Sequence, residues 1–353
     1  MENNKFIRNS NYELLRIVAM AMVIGLHYLL FGGALKNINA GMHNYYIVVF
    51  IESLFIIAVN LFVIISGYFM CNKNKICISK VFSLIALTYF YGIMFYLFSV
   101  IAGYEKLSII GIIKAIDPLL KNWYVKTYVV LYMISPYINI LLNNINSSLH
   151  KKLIYLLSLF FCIWPSFLPN APNNDGGYGI ISFIFIYIIA GYIRKYDIRE
   201  SFKKRSLIIY IICAIITFLF KVINWDSAWS YNFLFNIIGA VALFSSFSKI
   251  NLKSTNVNCI SKFTFAIFII HINPVFVDMV YNRILKCSQI YSNKYFIFYV
   301  IIGIIAIYLI ALIIELIRKL IIKGILKILP NIIKFTLSKY KKQVCEGLSN
   351  IFY

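Results

Sequence analysis

The sequence predicts an all-α, polytopic integral membrane protein with about ten transmembrane helices and both termini in the cytoplasm. Composition is the first observation behind this: of 353 residues, 61% are hydrophobic and 13% charged, whereas soluble domains are about 45–50% apolar and about 25% charged. The second is the recurrence, from end to end, of apolar stretches near the ~20 residues that a helix needs to cross a bilayer. A soluble fold would leave much of this apolar surface in water.

Ten stretches have the length and hydropathy of spanning helices. They lie at about 12–31, 47–69, 78–102, 123–142, 152–168, 178–193, 206–222, 230–248, 263–282 and 295–317. The first is not a cleaved signal peptide, because Glu13 and Arg16 interrupt the position of the apolar region. We expect residues 1–322 to form one membrane domain and residues 323–353 a basic amphipathic cytoplasmic tail.

The positions of Lys and Arg predict the orientation. With the N-terminus inside, 24 of the 34 basic residues fall in cytoplasmic segments, 8 in outer loops and 2 within spans. Short cytoplasmic loops carry such an excess, so an even number of spans follows. The net charge of +22 is explained by this inner face beside anionic membrane lipids and requires no nucleic acid. The same face is suited to attract an anionic cytosolic substrate.

The cysteines indicate neither a metal site nor an outer disulfide framework. Seven are scattered along the chain, and Cys71 and Cys77 have neither the spacing nor the His partners of a zinc site. Cys287 is the only cysteine in a predicted outer loop. We therefore expect no metal and interpret the cysteines as packing residues.

The first span carries three ionisable residues, which are costly in a bilayer and so are functional candidates. Glu13 and Arg16 are neighbours on the helix surface because they are three residues apart. Arg16 and His27 are eleven residues apart, so they point the same way with an axial separation of roughly 16 Å. One helix face thus presents a cation near the cytoplasmic end and an imidazole beyond the midplane. Alternatively, Arg16 reaches for headgroups and His27 is a packed core residue.

The second span carries polar residues at matching depths. Glu52 lies near its outer end, level with His27, and a carboxylate there is suited to orient an imidazole; an interfacial, water-facing Glu is the alternative. Asn60 is near the middle. Ser66 and Gly67 lie at the inner end, where they either admit a ligand close to the backbone or serve helix packing.

Spans four and nine add further candidates. Trp123 and Tyr128 open span four, where interfacial aromatic residues are usual. Four further residues of this span are less expected and indicate a polar-lined interior: Lys126, Ser135, Pro136 and Asn139. His271 lies in the middle of span nine, where a second proton-handling role and simple packing are equally good explanations.

Together these residues resemble the acyltransferase-3 family of bacterial integral-membrane O-acyltransferases. The first-helix signature of that family, an Arg, ten residues and a His, is similar to Arg16 and His27. Its second-helix signature, Phe-Phe-x-x-Ser-Gly, resembles residues 62–67, with Val in place of the second Phe. Residues 123–136 look like the fourth-helix pattern and residues 268–271 like the late histidine. The resemblance covers essentially the whole chain and favours the stand-alone type without a fused extracytoplasmic domain.

The resemblance implies transfer of an acyl group, usually acetyl, from cytosolic acyl-CoA to a sugar hydroxyl of a cell-envelope polysaccharide or lipid-linked glycan. It implies a place in the cell (cytoplasmic or inner) membrane. On this interpretation His27 is the general base, assisted by Glu52. The donor end comprises Arg16, which pairs with the donor phosphates, together with Glu13, Ser66 and Gly67. The residues expected to line the substrate path are Asn60, Trp123, Tyr128 and His271.

Other functions fit parts of this pattern. A transporter or lipid-linked oligosaccharide flippase also uses buried Arg, His and Glu, but the halves of the chain show no matching pair of interrupted helices. An envelope polysaccharide polymerase shares the helix count and basic loops, although the longest predicted outer loop, 103–122, is modest. A non-catalytic membrane subunit does not explain the buried charges.

Overall fold

The computed structural model describes residues 10–116 and 122–328, which form helices without a β-strand in either stretch. The first half of the chain gives α1 Ser10–Phe31, α2 Ala34–Asn37, α3 Tyr45–Phe55, α4 Ala58–Met70, α5 Ile78–Ile101, α6 Ile109–Ile116, α7 Trp123–Asn143, α8 Ser147–Ser158 and α9 Trp164–Phe167. The second half gives α10 Ile180–Tyr196, α11 Glu200–Val222, α12 Leu234–Phe247, α13 Thr255–Ile260, α14 Thr264–His271, α15 Pro274–Phe276 and α16 Phe296–Ile328. Wider π-helical turns at Leu159–Ile163 and Val277–Ile284 continue α8 and α15.

The predicted fold class, an all-α polytopic membrane protein, is confirmed, and each of the ten predicted stretches is mostly helical, with the ninth broken between His271 and Pro274. Within the described residues, seven helices are long and apolar enough to cross a membrane. The bent pair Thr255–His271 and Pro274–Ile284 brings this to eight if it forms one span. The predicted sixth span, α10, has 17 residues. The count of ten and the cytoplasmic termini therefore stay predictions.

The centre of the molecule is formed by α1, the continuous segment Tyr45–Met70 and the segment Asp226–Phe247, which are the most buried of the spanning segments. Helix α4 packs against α10, α1 and α12, while α1 also contacts α3 and α16. By contrast, no more than a third of the apolar stretch of α5, α11 or α16 is buried, and these helices present apolar side chains outward. Such a surface is expected of helices whose solvent is lipid.

Pro136 and Pro274 interrupt the helical hydrogen-bonding pattern, and nearby polar groups compensate. Pro136 in α7 lacks the N–H that would bond to the carbonyl of Tyr132. The hydroxyl of Ser135 donates to that carbonyl instead, at 2.8 Å. At the other break, Asn273 precedes Pro274, and its side chain accepts a hydrogen bond from the amide of Val275 at 3.0 Å. The helices on either side of this break cross at 79°.

The predicted tail lies almost entirely outside the described residues. Helix α16 continues without interruption through residue 323 to Ile328, so the tail boundary set at 323 falls within a helix. The remaining prediction for residues 329–353 is untested by the structure. The six cysteines within the described residues are free thiols, and Cys287 is buried.

Candidate active site

A cavity of about 1230 Å³ runs beside α1, and its wall includes residues of α3, α4, α5, α7 and α14. His27, Glu52, Arg16, Glu13, Ser66, Trp123 and Tyr128 all line it. Seven of the ten predicted site residues therefore share one cavity. Asn60, Gly67 and His271 do not line it, and each has a different structural position.

His27 is held by a second histidine. Its Nδ1 atom lies 2.8 Å from Nε2 of His271, and its ring stacks on Phe31 with 4.9 Å between centroids. His271 is fully buried, and its Nδ1 atom lies 2.8 Å from the carbonyl oxygen of Ile267, one turn earlier in α14. The two predicted histidines thus come together across 244 residues of sequence, with His27 at the cavity wall and His271 behind it.

The prediction that Glu52 orients His27 is not supported by the geometry. The hydrogen-bonding partner of the His27 ring is His271, because α14 ends beside α1 at that depth. Glu52 lines the cavity, but within the described parts of the chain its Oε2 atom is buried without a hydrogen-bond partner. Glu52 shares the cavity wall with Tyr178, in the loop before α10.

The end of the cavity that is predicted to be cytoplasmic is cationic. Nη1 of Arg16 lies 3.0 Å from both carboxylate oxygens of Glu13, and this ion pair fixes the guanidinium at the wall. Lys80 and Lys262 line the same end. In the adjoining loop, partial burial lowers the pKa of Lys73, and the charges of Lys80 and Arg16 lower it further. Four cations thus lie at or near one opening, with Glu13 as the counter-ion that the structure places on the wall.

Ser66 and Gly67, predicted together, separate in the structure. Ser66 faces the cavity and its hydroxyl lies 3.4 Å from that of Tyr128. Gly67 points away toward α10, where a Cβ atom would lie 2.8 Å from Cβ of Ala190. Consecutive helical residues point about 100° apart, so only one of the two can face the ligand space. Gly67 is therefore a helix-packing residue and not part of the cavity wall.

The opposite end of the cavity is aromatic. Trp123 stacks on Tyr231 with 5.5 Å between ring centroids and meets the edge of Tyr178 at 4.5 Å. All three rings line the cavity, as does Trp229. Asn60 supports this wall from behind, because its side-chain amide donates to the carbonyl of Tyr231 at 2.7 Å. The expectation that Asn60 itself lines the path is thus corrected, since the residue is fully buried in the helix interface.

The polar residues of α7 are also structural. Asn139 donates from its side-chain amide to the carbonyls of Met70 and Lys73, both at 2.8 Å, and so closes the turn after α4. Lys126 is exposed and is absent from the cavity wall. The polar-lined interior is not supported for either residue. Asn139 bonds to backbone carbonyls and accepts from the Tyr187 hydroxyl at 2.9 Å, and Lys126 lies outside the cavity wall.

The sequence analysis did not single out several residues that the structure places at the site. Lys80 and Lys262 were counted only as part of the charge bias, although both line the cavity. Tyr124 stacks on Tyr128 with 5.9 Å between centroids and faces Phe268. Positions of basic residues at the ends of spans were visible in the sequence, but nothing there indicated which of them face a common space.

The geometry allows one kind of chemistry particularly well. An anionic ligand fits the cationic end, and a partly accessible imidazole stands farther along the same wall, roughly 16 Å away along α1. An imidazole in such a position is suited to take a proton from a hydroxyl group. Within residues 10–116 and 122–328, no group of three or more His, Cys, Asp or Glu side chains is arranged to hold a metal ion.

Comparison with protein families identifies the class. The family model described as an acyltransferase domain, that of the acyltransferase-3 family, matches residues 9–315 of the 353. The chain belongs to this family and is a multi-pass membrane acyltransferase. No curated protein and no solved structure matches it.

Proposed function

We propose that the protein transfers an acyl group, with acetyl as the expected case, from cytosolic acyl-CoA to a sugar hydroxyl of a cell-envelope polysaccharide or lipid-linked glycan. The observation that carries the proposal is one cavity whose wall holds Arg16 and Lys80 at one end and His27 farther along. We place the protein in the cytoplasmic membrane, with membrane lipids around its apolar outer helices.

The donor enters at the cationic end. Arg16, Lys80 and Lys262 are positioned for the phosphates of acyl-CoA, where hydrogen bonds between ionised groups are strong. Arg16 has further guanidinium donors beyond the Nη1 atom that contacts Glu13, and the planar guanidinium suits phosphate oxygens. Ser66 and Tyr128 stand farther along the wall. From the phosphate end, the extended pantetheine arm of the donor covers the roughly 16 Å to His27.

The transfer follows from the position of the imidazole. His27 removes the proton from the acceptor hydroxyl as the oxygen attacks the thioester carbonyl carbon. As the new C–O bond forms, the electron pair of the C=O bond moves onto the carbonyl oxygen. The C=O bond then forms again, and the C–S bond breaks. The CoA thiolate then takes the proton from the imidazolium, which restores neutral His27 and releases CoA as a thiol. The products are an O-acyl ester and CoA.

The acceptor occupies the aromatic end. Trp123, Tyr231 and Tyr178 present ring faces and edges to the cavity, and such surfaces suit the apolar faces of a sugar ring because they bury area at low conformational cost. Glu52 stands beside them, and a carboxyl group pairs well with sugar hydroxyls. Glu52 is thus better placed for the acceptor than for His27.

The test uses purified protein in lipid nanodiscs with acetyl-CoA as the donor. Release of free CoA is followed with a thiol reagent, first with water as the acceptor and then with envelope saccharide fractions added. We expect His27→Ala to lower turnover by about 100-fold or more, in the range that general-base catalysis contributes, while acetyl-CoA binding stays within about threefold. Lipid-linked saccharide transport without any CoA release would instead support a flippase. Loss of both activity and protein accumulation in the His27 variant would indicate a structural role.

A further inference from the structure

The hydrogen bonds of His271 determine where its proton lies. A carbonyl oxygen only accepts hydrogen bonds, so the 2.8 Å contact between Nδ1 of His271 and the Ile267 oxygen requires the proton on Nδ1. A neutral imidazole carries one N–H, which leaves Nε2 of His271 as a hydrogen-bond acceptor. His271 is fully buried in apolar surroundings, where the neutral ring is the less costly form.

This assignment fixes the tautomer of His27. Its Nδ1 atom lies 2.8 Å from the accepting Nε2 of His271, so the proton between the two rings belongs to His27. With Nδ1 protonated, neutral His27 has a free lone pair on Nε2. That atom has no hydrogen-bond partner in the described parts of the chain, and His27 lines the cavity. The lone pair is therefore on the nitrogen that is left for a ligand.

The same contact serves both protonation states. When Nε2 of His27 takes a proton, Nδ1–H still donates to His271, so the imidazolium keeps its partner without transferring a proton to His271. The pattern corresponds to the one in which a carboxylate holds a catalytic histidine through Nδ1, with a neutral imidazole in place of the carboxylate. A neutral partner avoids placing a second buried charge beside the site.

The fold holds the partner rigidly. His271 is the last residue of α14, and the chain turns by 79° between it and the next helix, which begins at Pro274. The ring bonds to its own helix one turn back, while Asn273 caps the following turn. Helix α14 also packs against α1 and α16. The position of the His271 ring is thus fixed by its own backbone and does not depend on the ligand.

We propose that His271 is a positioning residue that holds His27 in the Nδ1–H tautomer, so that Nε2 is available as the base. The inference rests on the proposed function for its catalytic consequence, but the tautomer itself does not depend on any substrate. His271 does not line the cavity, and so it acts only through His27.

The first arm of the test measures the tautomer of His27 directly. The chain has four histidines, so selective ¹⁵N-histidine labelling and solid-state NMR in lipid bilayers give few signals, and the spectrum of His27→Gln assigns those of His27. We expect a protonated Nδ1 and an unprotonated Nε2 in the wild type. A protonated Nε2 with unprotonated Nδ1 would overturn the proposal whether or not the protein transfers acyl groups. The expected tautomer in a protein that releases no CoA would instead count against the proposed function alone.

The second arm compares His271→Gln with His271→Met, which match in length and differ in the acceptor oxygen. We expect kcat for CoA release from acetyl-CoA to be at least about tenfold higher for the Gln variant, within the span of general-base effects. The KM for acetyl-CoA and the Tm should be similar in the two variants. His150→Met is the matched control, because His150 is also buried and lies 3.1 Å from a carbonyl, that of Ile188, but is outside the cavity wall. It should retain wild-type kcat. Equal kcat values for the Gln and Met variants, high or low, would overturn the positioning role.

Discussion

Gly67 offers a sharp choice between a ligand path and helix packing, and replacement by Ala decides it. The added Cβ would lie 2.8 Å from Cβ of Ala190 and 3.2 Å from a ring carbon of Tyr187, both on α10. The Tyr187 backbone is also close, with its Cα 3.3 Å away. Since the closest atom is the Cβ of Ala190, which no side-chain rotation can move, and the Tyr187 Cα is backbone, rotation of a side chain does not relieve the contact.

The expected cost follows from these distances. Non-bonded carbon atoms prefer about 3.5–4.0 Å, so α4 and α10 must separate locally by roughly 1 Å. Overpacking of this kind lowers the free energy of unfolding by about 1–3 kcal/mol. Ala in place of Gly within a helix raises it by about 1 kcal/mol. The net loss is therefore about 0–2 kcal/mol. Ala190→Gly removes the opposing methyl group. The double variant should therefore be more stable than the sum of the two single changes predicts, by a coupling energy of about 1 kcal/mol, as is usual for residues in contact.

The assay is thermal unfolding of the purified variants in detergent, together with acetyl-CoA binding. The control is Gly324→Ala on α16, where no atom lies within 4 Å of the new Cβ, and its Tm should not fall. We expect Gly67→Ala to lower the Tm, and we expect Ala190→Gly to lower the Tm less in the Gly67→Ala protein than in the wild type, with donor affinity unchanged. An unchanged Tm combined with weakened donor binding would refute the packing argument and return Gly67 to the ligand path.

Three further predictions concern the donor end and the orientation. Arg16→Ala should raise the KM for acetyl-CoA by about 10-fold or more, since hydrogen bonds to charged groups contribute about 1.5–3 kcal/mol. Arg16→Lys should bring the KM only part of the way back to the wild-type value. Equal KM values in the wild type and both variants would exclude phosphate binding by Arg16. Glu105 is exposed in a predicted outer loop, and Cys77 is exposed in a predicted cytoplasmic loop. In intact cells, a membrane-impermeant maleimide should label the Glu105→Cys variant at position 105 but should not label Cys77. Cys287, the native cysteine in an outer loop, is buried and is a poor probe. Labelling of Cys77 would reverse the predicted orientation. In sealed vesicles of known orientation, acetyl-CoA added only at the cytoplasmic face should acylate saccharide confined to the outer face; transfer only when both substrates are on the cytoplasmic face would make the protein an inner-face enzyme.

The sequence predicted the composition of the site better than its contacts. Arg16 and His27 line one cavity wall as their eleven-residue spacing predicts, because helix geometry relates positions within one helix directly. The depth argument for Glu52 placed it correctly in the cavity but gave it the wrong partner. Depth along a span constrains one coordinate only, and rotation of the helix about its axis decides which neighbour a side chain meets.

For small and polar residues too, position along a helix does not specify which neighbour the side chain meets. Ser66 and Gly67 are adjacent in the sequence, but only Ser66 reaches the cavity, because α10 packs against the other face of α4. Asn60 and Asn139 look like lining residues from their position in spans. In the structure each donates to carbonyls of a neighbouring segment, since a backbone group left unpaired in an apolar interior is costly.

The sequence by itself determined the fold class, the helical stretches, the charge bias and the cation–imidazole face of α1, since each depends on composition or on spacing within one segment. Only the tertiary structure decided that His271 holds His27, that Lys80 and Lys262 join Arg16 at one opening, and that Gly67 belongs to a helix interface. They bring together residues up to 246 positions apart in the sequence, as for Arg16 and Lys262 in one cavity wall. They depend on how helices rotate and pack against one another, which no periodicity within a single helix specifies.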